Sequence, residues 1–174
     1  TMYIKRNNAF TIVELIVVIS ILAILTTLAV PLFQEYQSKQ EANSIYQKIT
    51  AVNRYARSQS AVLRQNIVIC PTLNLSTCQT NQWSNAWLVF VDQNKNRQVD
   101  TGETILHVDH LRLKYGQLDW RGALSIPSVN YQAQTNLPIG SNGSFYYCSF
   151  QHSYYYKIVL SKMGHLRKEN LSTC

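Results

Sequence analysis

Between Leu15 and Phe33 the chain runs for 19 residues without a charge: LIVVISILAILTTLAVPLF. A helix of that length spans about 28 Å, close to the roughly 30 Å of a bilayer core. Lys5 and Arg6 precede it and form a short basic flank expected to stay cytoplasmic. An ordinary signal peptide or signal anchor would share these features. A cleavable secretory peptide is disfavoured, because no small-x-small site ends the apolar run. This one segment explains much of the composition. Only 14% of the 174 residues are charged, against about 25% in a typical soluble domain. The 46% hydrophobic content excludes a highly charged disordered chain. Length leaves room for one domain of ordinary size, or a small domain with an appendage.

Two residues set the segment apart from a plain anchor. Glu14 lies within its apolar beginning, where a carboxylate costs about 2.5–3.5 kcal/mol on insertion scales and so calls for a partner. Pro31 lies near the far end, where it removes one helix hydrogen bond and permits a kink or local melting.

The run Ala9-Phe10-Thr11-Ile12-Val13-Glu14-Leu15 resembles the leader junction of type IV pilins and type II secretion pseudopilins. The resemblance implies that a prepilin peptidase cuts between Ala9 and Phe10 and methylates the new N-terminus. Ala9 stands where that family usually has Gly. Glu14 becomes the fifth mature residue and Pro31 the twenty-second, both family positions. In the filament the Glu14 carboxylate would face the amino terminus of a neighbouring subunit, so that two buried opposite charges offset each other's desolvation. Implied partners are other major and minor pilins, the prepilin peptidase, the inner-membrane assembly platform and, before assembly, membrane lipid. The implied location is the bacterial inner membrane with the leader cytoplasmic, then an extracellular pilus or periplasmic pseudopilus.

Beyond Pro31 the pattern becomes amphipathic. Ala42, Ile45, Ile49, Val52 and Ala56 recur at three- and four-residue spacing, with Glu41, Lys48, Arg54 and Arg57 off that stripe. The spacing predicts a helix with one face on a sheet, continuous with the membrane segment and poorly marked at its end over 58–66. From Asn66 the chain reads as short strands: Ile67–Ile69, Trp87–Val91, Ile105–Val108 and Tyr154–Ser161. Pro127, Pro138, Gly140 and Gly143 punctuate a stretch read as loop-rich. The expected organisation is leader 1–9, transmembrane and filament-core helix 10–33, amphipathic helix 34–65 and β-rich head 66–174. This is an α+β, type IV pilin-like fold with a long N-terminal helix on an antiparallel β-rich domain.

Within that superfamily, Asn66-Ile67-Val68-Ile69-Cys70-Pro71 and Trp83-Ser84-Asn85-Ala86-Trp87-Leu88-Val89-Phe90-Val91-Asp92 resemble the GspH/FimT/FimU group. Ala86 replaces the group's Gly. Its late Gly-Arg-x-Arg motif is represented by Gly164-His165-Leu166-Arg167, with His165 at the first Arg. FimT-type members are implicated in capturing DNA for natural transformation through this basic region. Lys162, His165, Arg167 and Lys168, with Lys157, are therefore the candidate contacts to double-stranded DNA. Lys and Arg there would release counterions from phosphates. Residues 120–174 hold five basic residues and one acid, so much of the formal +7 lies at this end. A solvated strand edge rich in Lys is the competing explanation.

Four cysteines in a domain outside the cytoplasm suggest disulfides, and three pairings are open. Cys70–Cys78 and Cys148–Cys174 are favoured over a zinc site, because Cys-x7-Cys is not a standard ligand spacing. Asp92, Asn94, Asn96, Asp100 and Glu103 place oxygens at the spacing of a calcium loop. Arg97 stands where such a loop needs Gly, and the alternative is a polar hairpin loop without metal. No cofactor and no catalytic residue are expected. His107, His110, His152 and His165 are scattered, and no nucleophile set or phosphate-cradling Gly loop is present. Three functions compete: a DNA-binding minor pilin, an assembly-priming FimU-like pilin or GspH-like pseudopilin, and, weakest, an anchored enzyme.

Overall fold

The computed structural model describes residues 11–151 and 154–174. The chain divides into two units, one ending at Gln37 and one running from Ser38 to Cys174. Helix α1 (Ile12–Leu63) is the only helix long and apolar enough to cross a membrane among the described residues. In the first unit every described residue from Thr11 to Tyr36 is exposed. In the second, α1 is amphipathic, and Ala42, Ile45, Ile49, Val52 and Ala56 are all buried. The helix stops at Leu63, followed by Arg64 with φ +53°. A left-handed residue ends a helix, and Gly is its usual occupant. Arg in that role explains why the end was poorly marked in the sequence.

Two antiparallel four-stranded sheets complete the second unit. One contains β1 (Asn66–Thr72), β2 (Ala86–Asp92), β3 (Ile105–His110) and β5 (Val129–Tyr131), in the order β3-β2-β1-β5. The other contains β4 (Gly116–Gly122), β6 (Gly143–Ser149), β7 (Tyr155–Leu160) and β8 (Leu166–Asn170), in the order β4-β6-β7-β8. The stretch read as loop-rich thus contains β4, β5 and β6, the last beginning at Gly143. Gly116, Leu118 and Trp120 alternate inward along β4. Its flanking glycines and the outward Asp119 and Arg121 disguised that period in the sequence.

One core joins the helix stripe to residues of both sheets, among them Ile67, Val89 and Tyr131 of the first and Phe145, Ile158 and Leu160 of the second. Trp83, Trp87, Trp120 and Phe145 fill its centre, with Trp83 and Phe145 edge-to-face at 5.1 Å between centroids. β1 and β2 are buried on both faces, because a second cluster of Val68, Cys70, Leu88 and Phe90 lies on their far side beneath Val99. Disulfides join Cys70 to Cys78 and Cys148 to Cys174.

Buried aromatic rings put their polar tips on the helix. Tyr156 donates to the Ala42 carbonyl at 2.5 Å and Tyr131 to Asn53 Oδ1 at 2.9 Å. Tyr147 donates to Glu41 Oε1 at 2.9 Å, and the same carboxylate accepts from the backbone N–H groups of Lys114 at 2.7 Å and Tyr115 at 3.1 Å. Burial first, then the Glu41 charge, pushes the Tyr147 phenol well above its ordinary range. Glu41, off the apolar stripe, is therefore the joint between helix and β4–β6 and not a solvated residue.

At the other end of β6, Gly143 pairs with Gly122 across the ladder. A methyl on Gly143 would lie 2.8 Å from the Trp120 ring. Gly143→Ala is therefore expected to destabilise the protein by about 1–3 kcal/mol through overpacking. Glu41→Ala should lose a similar amount, about 1–3 kcal/mol, because two backbone donors lose their acceptor. Urea unfolding of the detergent-solubilised chain reads both. Wild-type midpoints would contradict these roles.

Candidate functional site

At the start of α1, Thr11 and Glu14 satisfy each other. The Thr11 N–H donates to Glu14 Oε2 at 2.9 Å, and the Glu14 N–H donates to Thr11 Oγ1 at 3.2 Å. This is a capping box, read from Thr-x-x-Glu, and it ties up two of the backbone donors that a helix start leaves free. Thr11 is thus a local partner for Glu14, in addition to the neighbouring amino terminus that the sequence resemblance implies for its charge. Ala9 and Phe10 lie outside the described residues. Pro31 sits inside α1, which is helical on both sides of it. The Thr26 and Thr27 hydroxyls donate to the carbonyls of Ala23 at 2.9 Å and Ile24 at 2.7 Å, so these polar groups need no outside partner.

The Asp92–Glu103 loop folds on its own side chains. Asp92 accepts from the N–H groups of Asn96 and Arg97 at 3.2 and 3.1 Å. Asp100 accepts from the amides of Asn94 and Asn96 at 2.7 and 2.6 Å. Glu103 accepts from the N–H groups of Gln93 and Asp100 at 2.8 and 3.1 Å. Among the described residues, no three His, Cys, Asp or Glu side chains stand together as a metal-holding group. Arg97 has φ +64° and donates to Ser141 Oγ at 3.0 Å, pinning the loop to the chain beyond β5. Burial raises the Asp92 carboxyl and lowers the Arg97 guanidinium from their ordinary values. The loop works as a cover, with Val99 packed on the outer cluster of the first sheet.

The basic residues of the C-terminal end are sorted by the register of β8. Arg167 and Glu169 pair with Val159 and Lys157, on the outer face of the second sheet. There Glu169 accepts from Lys157 at 2.9 Å and forms an ion pair with Arg167. The hydrogen bond between them holds Glu169 below its ordinary pKa and Lys157 above its own. Lys168 pairs with buried Ile158 and so points to the opposite, helix-facing side. Its ammonium lies 4.2 Å from the Tyr156 ring centroid and 5.5 Å from that of Tyr46. Lys162 and His165 are exposed in the β7–β8 turn, where Gly164 has φ +78°.

The five sequence candidates therefore do not form one patch. Two share a carboxylate on the outer face, one crosses to the helix side, and two occupy the turn. In the sequence Arg54 and Arg57 stand out only as off-stripe residues of the helix. Both are exposed and line a groove of about 260 Å³ with Gly164 and His165. Their position off the buried stripe was the available signal, but nothing in the sequence brings residue 57 beside residue 164.

The comparisons agree with this architecture. The family described as type II transport protein GspH matches residues 46–164, and the prokaryotic N-terminal methylation motif matches residues 4–30. No curated protein matches the chain. Two crystal forms of the type IV minor pilin FimU of Pseudomonas aeruginosa strain PAO1 resemble it in fold at 17% identity. One covers 77% of this chain and 92% of FimU with a TM-score of 0.56. The other covers 73% and 91% with a TM-score of 0.50. With more than half of its length matched, the chain belongs to the GspH family of pilin-like proteins, and its own fold is one long N-terminal helix with antiparallel sheets.

Proposed function

We propose that the chain is a minor subunit of a type IV pilus that binds extracellular double-stranded DNA through its basic C-terminal end during uptake. Lys162, His165 and Lys168 carry this reading. They lie exposed on one hairpin, and none takes part in an ion pair among the described residues. Lys157 and Arg167 contribute less at neutral pH, because Glu169 occupies both. Cutting between Ala9 and Phe10 would precede assembly, and residues 10–33 would serve first as membrane anchor and then as filament core. Peptidase, assembly platform and neighbouring pilins are the partners this route requires. A second reading, an assembly subunit without DNA, draws on the fold likeness to FimU.

For the scaffold, Glu14→Ala should leave membrane insertion intact and abolish recovery in sheared filaments. Wild-type recovery would exclude the assembly role of Glu14. For DNA, retardation of a short duplex by the detergent-solubilised chain should fall steeply with salt. No retardation at low salt leaves the assembly reading alone.

Glu169 supplies a sharper check. Glu169→Gln releases two cations and should tighten binding, raising the salt slope by up to about 2. Acid should act in the same direction. The ionised Glu169 is stabilised in the fold, a contribution present above its ordinary 4.5 and lost as pH falls through its lowered native value. Lys157, raised from 10.5, contributes below that value and loses its part as pH rises through the higher native one. Binding should thus gain from this release only below about pH 4.5. An unchanged slope in the Gln variant would show that Lys157 and Arg167 do not touch DNA.

A further inference from the structure

The seam between α1 and β8 carries more unpaired positive charge than the outer sheet face. Two grooves follow it. One, of about 300 Å³, is lined by Lys39, Asn43, Tyr154 and Lys168. The other, of about 260 Å³, is lined by Tyr46, Arg54, Arg57, Gly164 and His165. Tyr46 links them, since Lys168 lies over its ring. No Asp or Glu lines either groove. The acids nearest in sequence face elsewhere: Glu41 accepts from Lys114, Tyr115 and Tyr147, and Glu169 holds the outer cations. Lys48, the other cation of this helix stretch, is paired with Asp109 at 3.2 Å. None of Lys39, Arg54, Arg57 and Lys168 enters an ion pair among the described residues.

We infer that this seam is the main track for the phosphate backbone of the DNA while Glu169 holds the cations of the outer sheet face. The inference rests on the DNA-binding reading above and assigns its main contacts to helix residues outside the C-terminal motif. Arg54 and Arg57 stand three apart on one helix face, about 5–6 Å between Cβ atoms. From Lys39 to Arg57 the helix rises about 27 Å, which matches about eight phosphates of one strand at about 3.4 Å each. Four permanent cations over that length neutralise about half of the strand they follow. His165 lines the turn end of the track. The two grooves contain side chains suited to a sugar–phosphate edge: the Asn43 amide and tyrosine rims. The outer face lacks this economy, because Asp119 pairs with Arg121 there as Glu169 does with Lys157 and Arg167.

The test is the salt dependence of duplex binding by the full chain in detergent, between about 50 and 200 mM salt. The variant Lys39→Gln/Arg54→Gln/Arg57→Gln should lower the slope of log affinity against log salt by about 2–3. Arg54→Gln, a single change at an exposed position, should lower it by about 1 and serves if the triple variant folds poorly. Arg57→Lys should keep the wild-type slope, and Arg121→Gln on the outer face should also leave it unchanged. A wild-type slope in both Gln variants overturns the seam while leaving DNA binding to the hairpin. If the wild-type chain retards no duplex at the lowest salt, the DNA reading falls and the seam with it.

Discussion

The second unit depends on burying one stripe of a helix that has no other reason to stop at a sheet. Ala42, Ile45, Ile49, Val52 and Ala56 contribute small and branched side chains, so the helix lies close over the inner faces of both sheets. Each sheet has only four strands, and those two inner faces meet one shared core. Hydrophobic burial of this kind has no direction of its own. Direction comes from the polar tips at its margin: Tyr156 on the Ala42 carbonyl, Tyr131 on Asn53 and Tyr147 on Glu41. These bonds fix the rotation and height of the helix against strands from different parts of the chain. A purely apolar contact would tolerate a slip between neighbouring ridges; the buried hydroxyls would not, since each would lose its acceptor.

The helix was legible because its two signals are long and periodic. An uncharged run and a three-four stripe both survive single-residue noise, and together they span Leu15 to Ala56. β1 and β2 were legible for a different reason: strands buried on both faces read as continuous runs, as in Ile67–Ile69 and Trp87–Val91. β4 and β8 were not, because each carries charges on its outward positions and β4 begins and ends in Gly. The role of Glu41 was hidden for a stronger reason. Its partners lie more than 70 residues away, and a charge beside an apolar stripe is usually solvated. The basic tail was legible as charge but not as geometry. Neighbours in sequence on a strand point to opposite faces, so Arg167 and Lys168 belong to different surfaces.

That alternation also changes how the Gly-His-Leu-Arg stretch is to be read. As a string it suggests a compact cluster. In the fold its glycine makes the turn, its leucine packs on the core, and its arginine is held by Glu169. The helix thus provides cations that the motif itself does not, and the hairpin brings them a backbone turn small enough for Arg57 to approach. The Asp92–Glu103 loop shows the same lesson in reverse. Its oxygens have ligand spacing, yet the fold directs them to its own amides and sets the loop as a lid on Phe90 and Val68.

The Cys148–Cys174 bridge has a consequence for timing. It closes a loop with a sequence separation of 26 that contains all of β7 and β8, and therefore the whole basic hairpin. Such a bond forms in an oxidising compartment and not beside the ribosome. Until then β8 is held as an edge strand by β7 alone within its sheet. Oxidation is thus a maturation step for this surface: the end of the chain beyond β8 gains its covalent tie to β6 only once the two cysteines meet an oxidising environment.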